Sequence, residues 1–97
     1  MKGLRDKLWI VAYDSPSNRR RRKIASLLEG YGVRVQWSVF ECRLREEEIK
    51  VLVHRLRRIV NDEQDSIRLW PLRDSSLQQV VQLGKTPSSS TWSDTIL

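Results

Sequence analysis

Cysteine is all but missing from this chain. Cys42 stands alone, so a disulfide framework and a thiolate zinc cluster are both excluded, and a reducing cytosol is the expected setting. Histidine is as scarce: His54, the only one, falls off the apolar stripe of its segment and reads as exposed, not as a ligand or general base. There is no Ser-His-Asp set and no zinc-type spacing, and the four glycines form no phosphate loop. No apolar run is long enough to span a bilayer, and the Met-Lys-Gly start leads into a strand instead of a signal-peptide core. A cytoplasmic protein with no membrane partner is therefore expected. No internal repeat is visible.

What is present is positive charge. Eighteen Lys and Arg against twelve Asp and Glu give a formal net charge of +6 over 97 residues. That balance favours a polyanionic partner through counterion release without identifying one. The length allows one small domain with a two-layer core, and a chain this short gains from dimerisation.

The chain is organised around residues 8–32. Leu8 to Ala12 is apolar without alternation, as in a central strand, and ends in Tyr13 and Asp14. Trp9 and Val11 share one face; Leu8, Ile10 and Ala12 share the other. Pro16 and two serines stop the strand, and Ser17 or Asn18 caps a helix. Ile24, Leu27, Leu28 and Tyr31 form its buried stripe, and Gly30 and Gly32 end it. Projecting that stripe backwards lands on Arg20 and Arg21, which are expected to converge on Asp14. Lys23 is marginal, and Arg19 and Arg22 point away. Four arginines at a helix start oppose the helix dipole, and a bound anion would relieve this.

Val33 to Leu44 is rich in β-branched and aromatic residues and must be extended. Its inward side changes near Ser38, which calls for a bulge or a tight strand-to-strand break. Arg45 to Asn61 is the clearest helix, with Ile49, Leu52, Val53, Leu56, Ile59 and Val60 on one stripe. Its three glutamates lead and Arg55, Arg57 and Arg58 trail, which reads as helix-end charge. Ser66 to Leu72 is a strand with Ile67 and Leu69 on one side and Trp70 and Leu72 on the other; Pro71 suits an edge. Leu77 to Leu83 fits a strand or a helical turn, and a strand is expected. Residues 1–84 thus make the domain, and 85–97, polar and Ser/Thr-rich, make a mobile tail.

The resulting order describes an α+β fold, a ferredoxin-like βαββαβ sandwich with an additional C-terminal strand: an antiparallel sheet with two helices on one face. The other face is bare in one protomer. With Trp9, Trp37 or Trp70 to line it, a homodimer is the simplest cover.

YD at a strand end, an arginine-led helix closing in LLEGYG, and then RVQWSVFEC together resemble the signature of the small CRISPR-associated adaptation proteins, the second of the two universal Cas families. The likeness runs from about Lys7 through Leu44 and, more loosely, over IRLWPL and VVQLGK. It implies a homodimer whose sheets face each other, with the last short strand reaching across to the partner. It also implies a complex with the Cas-one integrase that captures short DNA and inserts it into the CRISPR array. Members are described as metal-dependent nucleases on single-stranded RNA or duplex DNA. Carried over, Asp14 is the catalytic residue and the ligand for Mg²⁺ or Mn²⁺, with Tyr13 beside it. Arg21 and Lys23 are the basic helix positions, and Arg34, Ser38 and Phe40 come from the strand region. Lysine at the second basic position offers a point charge where arginine offers a fork.

One aspartate is a poor cage for Mg²⁺, which prefers an octahedron of oxygens and keeps several waters. A two-fold axis pairing two Asp14 carboxylates would improve it. The bland reading of Asp14 is an Asx turn, and the resemblance outweighs it. Phe40 reads as core more often than as a stacking platform, and Cys42 as a plain strand residue. The alternative function is a non-catalytic ferredoxin-like RNA-binding module that stacks bases on its sheet.

Overall fold

A first strand paired on both edges sets the architecture. The computed structural model describes residues 6–85; the expected tail lies outside them except for Lys85. In order come β1 (Lys7–Asp14), α1 (Asn18–Glu29), β2 (Val33–Gln36), β3 (Val39–Leu44), α2 (Glu46–Arg57), β4 (Ser66–Leu72) and the single helical turn α3 (Asp74–Leu77). The sheet is antiparallel in the order β2-β3-β1-β4, so β1 is central and β4, with Pro71, is an edge strand as expected.

Period-two alternation sorts β1 into two faces. Val11 and Tyr13 are buried with Phe40, Cys42 and Leu44 of β3 against Ile24, Ala25 and Leu28 of α1 and Ile49, Leu52 and Leu56 of α2. Ile67 and Leu69 pack on the same cluster. Both helices therefore lie on one side of the sheet, in the expected α+β sandwich. Trp9 also packs there, so it does not line the opposite face as expected. Its odd-numbered position places it with Val11.

The other face carries Leu8, Ile10 and Ala12 of β1. Register adds Arg43, Glu41 and Val39 of β3 and Leu72, Trp70 and Arg68 of β4. Asp14, paired with Ser66, ends this row. Trp70 remains 39 % exposed.

The β2–β3 connection resolves the change of inward side. A two-residue turn, Trp37-Ser38, separates the strands, and the pairing register shifts between Arg34 and Gln36. Tyr13 N–H donates to the Ser38 carbonyl at 3.1 Å, tying this turn to the end of β1. Ser17 is the N-cap of α1: its hydroxyl accepts from Arg20 N–H at 3.2 Å. The second helix stops earlier than expected, yet its stripe continues through Ile59 and Val60, whose N–H groups both donate to the Leu56 carbonyl at 3.0 Å.

Residues 77–83, expected as a strand, carry none in the single chain. The amides of Ser76 and Leu77 donate to the Arg73 carbonyl at 2.9 and 3.2 Å. Leu77 is buried beside Leu8, Leu72 and Val80. This small cluster seats Leu77 and Val80 against the face of the sheet that carries Leu8.

Candidate nucleic-acid interface

The first strand delivers Asp14 to the surface. Its side chain is exposed, and among the described residues no hydrogen bond or ion pair reaches its carboxylate. The Asx turn that would have explained it is not made. Ser15, one residue on, is buried and accepts the Ser17 N–H on its hydroxyl at 3.1 Å. The loop is thus stabilised by a neutral side chain, and the charge of Asp14 is left for something else.

The arginine run divides differently from the helical projection. Arg21 donates to the Ser15 carbonyl, which holds its guanidinium against the loop that follows β1. Arg20 does not converge there. Its Nε donates to Asp65 Oδ2 at 2.6 Å and its Nη2 to Asp65 Oδ1 at 3.1 Å and Gln64 Oε1 at 2.8 Å. Asp65 is an intramolecular anion, and a long arginine side chain finds it before it finds the loop. The same carboxylate accepts Asn61 N–H at 2.8 Å. The bonds from Arg20 hold the Asp65 carboxyl well below the ordinary carboxylate range, with the Ser15 hydroxyl adding to the effect. Arg20 and Asp65 therefore brace the loop from behind.

Lys23 turns away from Asp14 as well. It borders an open groove between the helices with Tyr31, Arg55 and Arg58, where Arg55 donates to the Tyr31 hydroxyl at 3.0 Å and stacks on its ring. His54 is exposed, as read from its position.

A second stripe on α1, at Asn18, Arg22, Ala25 and Glu29, faces the β2–β3 turn. Between them lies a groove of about 490 Å³ lined also by Tyr13, Arg21, Ser26, Arg34, Trp37 and Ser38. Tyr13, Arg21, Arg34 and Ser38 thus line one groove. Arg22, expected to point away, joins them because this stripe runs along the edge of the core, past Ala25, and faces the β2–β3 turn. Phe40 does not reach the groove surface. It is fully buried, tilted against Tyr13 with ring centroids 6.3 Å apart. It supports the Arg34 guanidinium, which lies 5.4 Å from the Phe40 centroid and 6.0 Å from that of Trp37. Burial pushes the Cys42 thiol up to about 12, which removes it as a nucleophile.

Hard oxygen from Asp14 suits a divalent cation such as Mg²⁺. Among the described residues, however, no group of three or more His, Cys, Asp or Glu side chains comes together. One chain supplies one carboxylate, and a firm site needs a second.

The fold and this strand-end site define a ferredoxin-like α+β protein with a free carboxylate at the tip of its central strand and a cationic groove alongside. The profile of the family described as "CRISPR associated protein Cas2" matches residues 7–80, and the chain belongs to that family. A protein of Synechocystis sp. named CRISPR-associated endoribonuclease Cas2 3 is 51 % identical over 80 residues, covering 82 % of this chain and 87 % of the relative. The crystal structure of Streptococcus pyogenes Cas2 at pH 6.5 superposes with a TM-score of 0.72 at 36 % identity, covering 79 % of this chain and 99 % of that one. A chain from a partial Cas6-RT-Cas1–Cas2 complex superposes with a TM-score of 0.65 at 26 % identity, covering 87 % and 98 %. No helix among the described residues is long and apolar enough to cross a membrane.

Proposed function

We propose that two copies of this chain form the nucleic-acid-binding core of a CRISPR spacer-acquisition complex in the cytoplasm, docked to a Cas1-type integrase. We further propose that the Asp14 pair supports hydrolysis of phosphodiester bonds in single-stranded RNA or duplex DNA with Mg²⁺ or Mn²⁺. The observation that carries the reading is the position of Asp14: exposed, unpartnered among the described residues, and in the same row as Leu8, Ile10 and Ala12 on the face without helices. Two likenesses support it: the Synechocystis relative is named an endoribonuclease, and one structural neighbour stands in a complex with Cas1.

Joining two such faces about a two-fold axis turns both Asp14 carboxylates toward each other. A cation bound there would neutralise charge on a phosphate and lower the pKa of its own water. The chain's own contribution is electrostatic and positional. Arg21, held by the Ser15 carbonyl, and Arg34, seated on Phe40, present fixed cations for the backbone. Such contacts make binding salt-sensitive and largely blind to sequence.

The competing RNA-binding module stacks bases on sheet aromatics. Tyr13 and Phe40 lie buried, under the helices, and Trp70 is the one exposed aromatic in the sheet strands among the described residues. That arrangement favours the dimer.

The test is cleavage of labelled single-stranded RNA and duplex DNA by wild type and Asp14→Ala, with Mg²⁺, Mn²⁺ or chelator, beside sedimentation over a concentration series. A dimer whose cleavage needs metal and Asp14 is expected. A monomer at all concentrations removes the core role; metal-independent cleavage that survives Asp14→Ala removes the hydrolytic one.

A further inference from the structure

Trp37 has no structural task that explains it. It occupies the two-residue β2–β3 turn, where Asn, Asp and Gly are the residues that suit the backbone. It is 83 % exposed, so it contributes little to any core. Nothing in the folding of one chain is served by placing an indole there.

Its surroundings point to a ligand. The ring stands at the mouth of the α1/β2–β3 groove, with the Arg34 guanidinium 6.0 Å from its centroid. Arg21 and Arg22 line the wall opposite, with the polar side chains of Asn18, Ser26 and Ser38 between. The volume, about 490 Å³, lies in the range of small-molecule sites. Three cations face one anion, Glu29, so the groove is complementary to a group that is flat and apolar at one end and anionic at the other. An unpaired nucleotide has that description. Within a duplex the base faces are covered by their neighbours, so an indole can stack only on a base that is extruded, frayed or single-stranded.

The geometry points to a subsite for one unpaired nucleotide of a nucleic-acid strand, with its base stacked on Trp37 and its phosphate held by Arg21, Arg22 and Arg34. This rests on the proposed nucleic-acid-binding role and sharpens it: the groove discriminates single-stranded ends from duplex, whereas the basic surface as a whole does not. Hydrogen bonds from Asn18 and Ser38 are available to base edges, but stacking is sequence-tolerant, so weak base preference follows.

The experiment measures affinity of the full chain for a short labelled oligothymidylate and for a blunt duplex at one salt concentration, by fluorescence anisotropy. Wild type, Trp37→Ala and Trp37→Phe are compared. Because the side chain stands in solvent, these variants leave the fold intact, which circular dichroism verifies. Trp37→Ala is expected to weaken single-strand binding about tenfold, with phenylalanine restoring most of it, while duplex affinity changes by no more than about twofold. Equal losses on both substrates, or none on the single strand, overturn the subsite and leave the wider binding role standing. Failure of wild type to bind either substrate overturns both.

Discussion

Arg20 and Asp65, 45 residues apart, meet as a two-point ion pair: Nε lies 2.6 Å from Oδ2 and Nη2 3.1 Å from Oδ1. The Asp65 side chain is completely covered, while that of Arg20 keeps 24 % of its exposure. The pair joins the first turn of α1 to the residue before β4, next to the loop that follows Asp14.

This pair makes stability acid-sensitive with a definite sign. Folding depresses the Asp65 pKa, chiefly through the Arg20 hydrogen bonds. Its contribution is therefore complete above the unfolded carboxylate value of about 3.9 and is lost as pH falls through the lower folded value. Thermal unfolding across that acid range should show a steeper fall for wild type than for Asp65→Asn. The variant should melt lower at neutral pH, because Arg20 loses its partner. Parallel curves would show that the pair adds nothing.

Arg20 and Arg21 should also separate by function. Arg21→Gln removes a cation from the groove, so the slope of log affinity against log salt should shrink by about 1. Arg20→Gln should leave that slope alone and lower the melting temperature instead, since its guanidinium is committed to Asp65. A salt titration of both variants decides the matter, and loss of slope in Arg20→Gln would reverse the assignment.

How these residues sort shows what a one-dimensional reading reaches. Periodicity locates β1, α1 and β4 because burial follows it: Ile24 and Leu28 on the helix, and Ile67 and Leu69 on the strand, lie where their spacing puts them. The exposed place of Asp14 at the end of β1 and the reach of Arg21 to the Ser15 carbonyl are legible because strand end and helix start are neighbours in sequence. Arg20 is not, because its partner comes from a polar turn far along the chain, where nothing marks Asp65 as covered. Trp37 reads as an apolar residue available to a sheet face. Alternation signals a break near Ser38, but the place of Trp37 at the groove mouth depends also on the packing of α1 across from the turn, which lies outside that pattern. The 77–83 segment has the composition of a strand, yet in the single chain Leu77 closes a helical turn and packs against Leu8.

Cys42 should be inert in the folded chain. It is fully buried and its thiol is pushed up to about 12, first by desolvation and then by the neighbouring Glu41 charge. At mildly alkaline pH its thiolate fraction falls on the order of a thousandfold below that of a free cysteine. Reaction with a disulfide reagent should be correspondingly slow, and should rise to the free-thiol rate in denaturant. Fast native labelling would contradict the packing of β3.

Gly32 and Gly30 offer the sharpest test of how α1 meets the sheet. Both follow the helix, yet they stand in different surroundings. A Cβ on Gly32 would run into the Glu41 carbonyl and come within 2.7 Å of Cys42 Sγ and 2.8 Å of Cys42 Cα. Two of these three atoms are backbone of β3, so the strand itself must shift. A Cβ on Gly30 would meet only its own Leu27 carbonyl, at 3.4 Å, and Gly30 sits at φ −77°, where alanine is at ease. Gly32→Ala should therefore cost about 1–3 kcal/mol, a fall of roughly 4–8 °C in melting temperature per kcal/mol. Gly30→Ala should be neutral or raise stability by about 0.5 kcal/mol through the unfolded state. Similar losses at both positions would place the requirement in the turn's flexibility; a loss confined to Gly32 places it in the close approach of the helix end to β3.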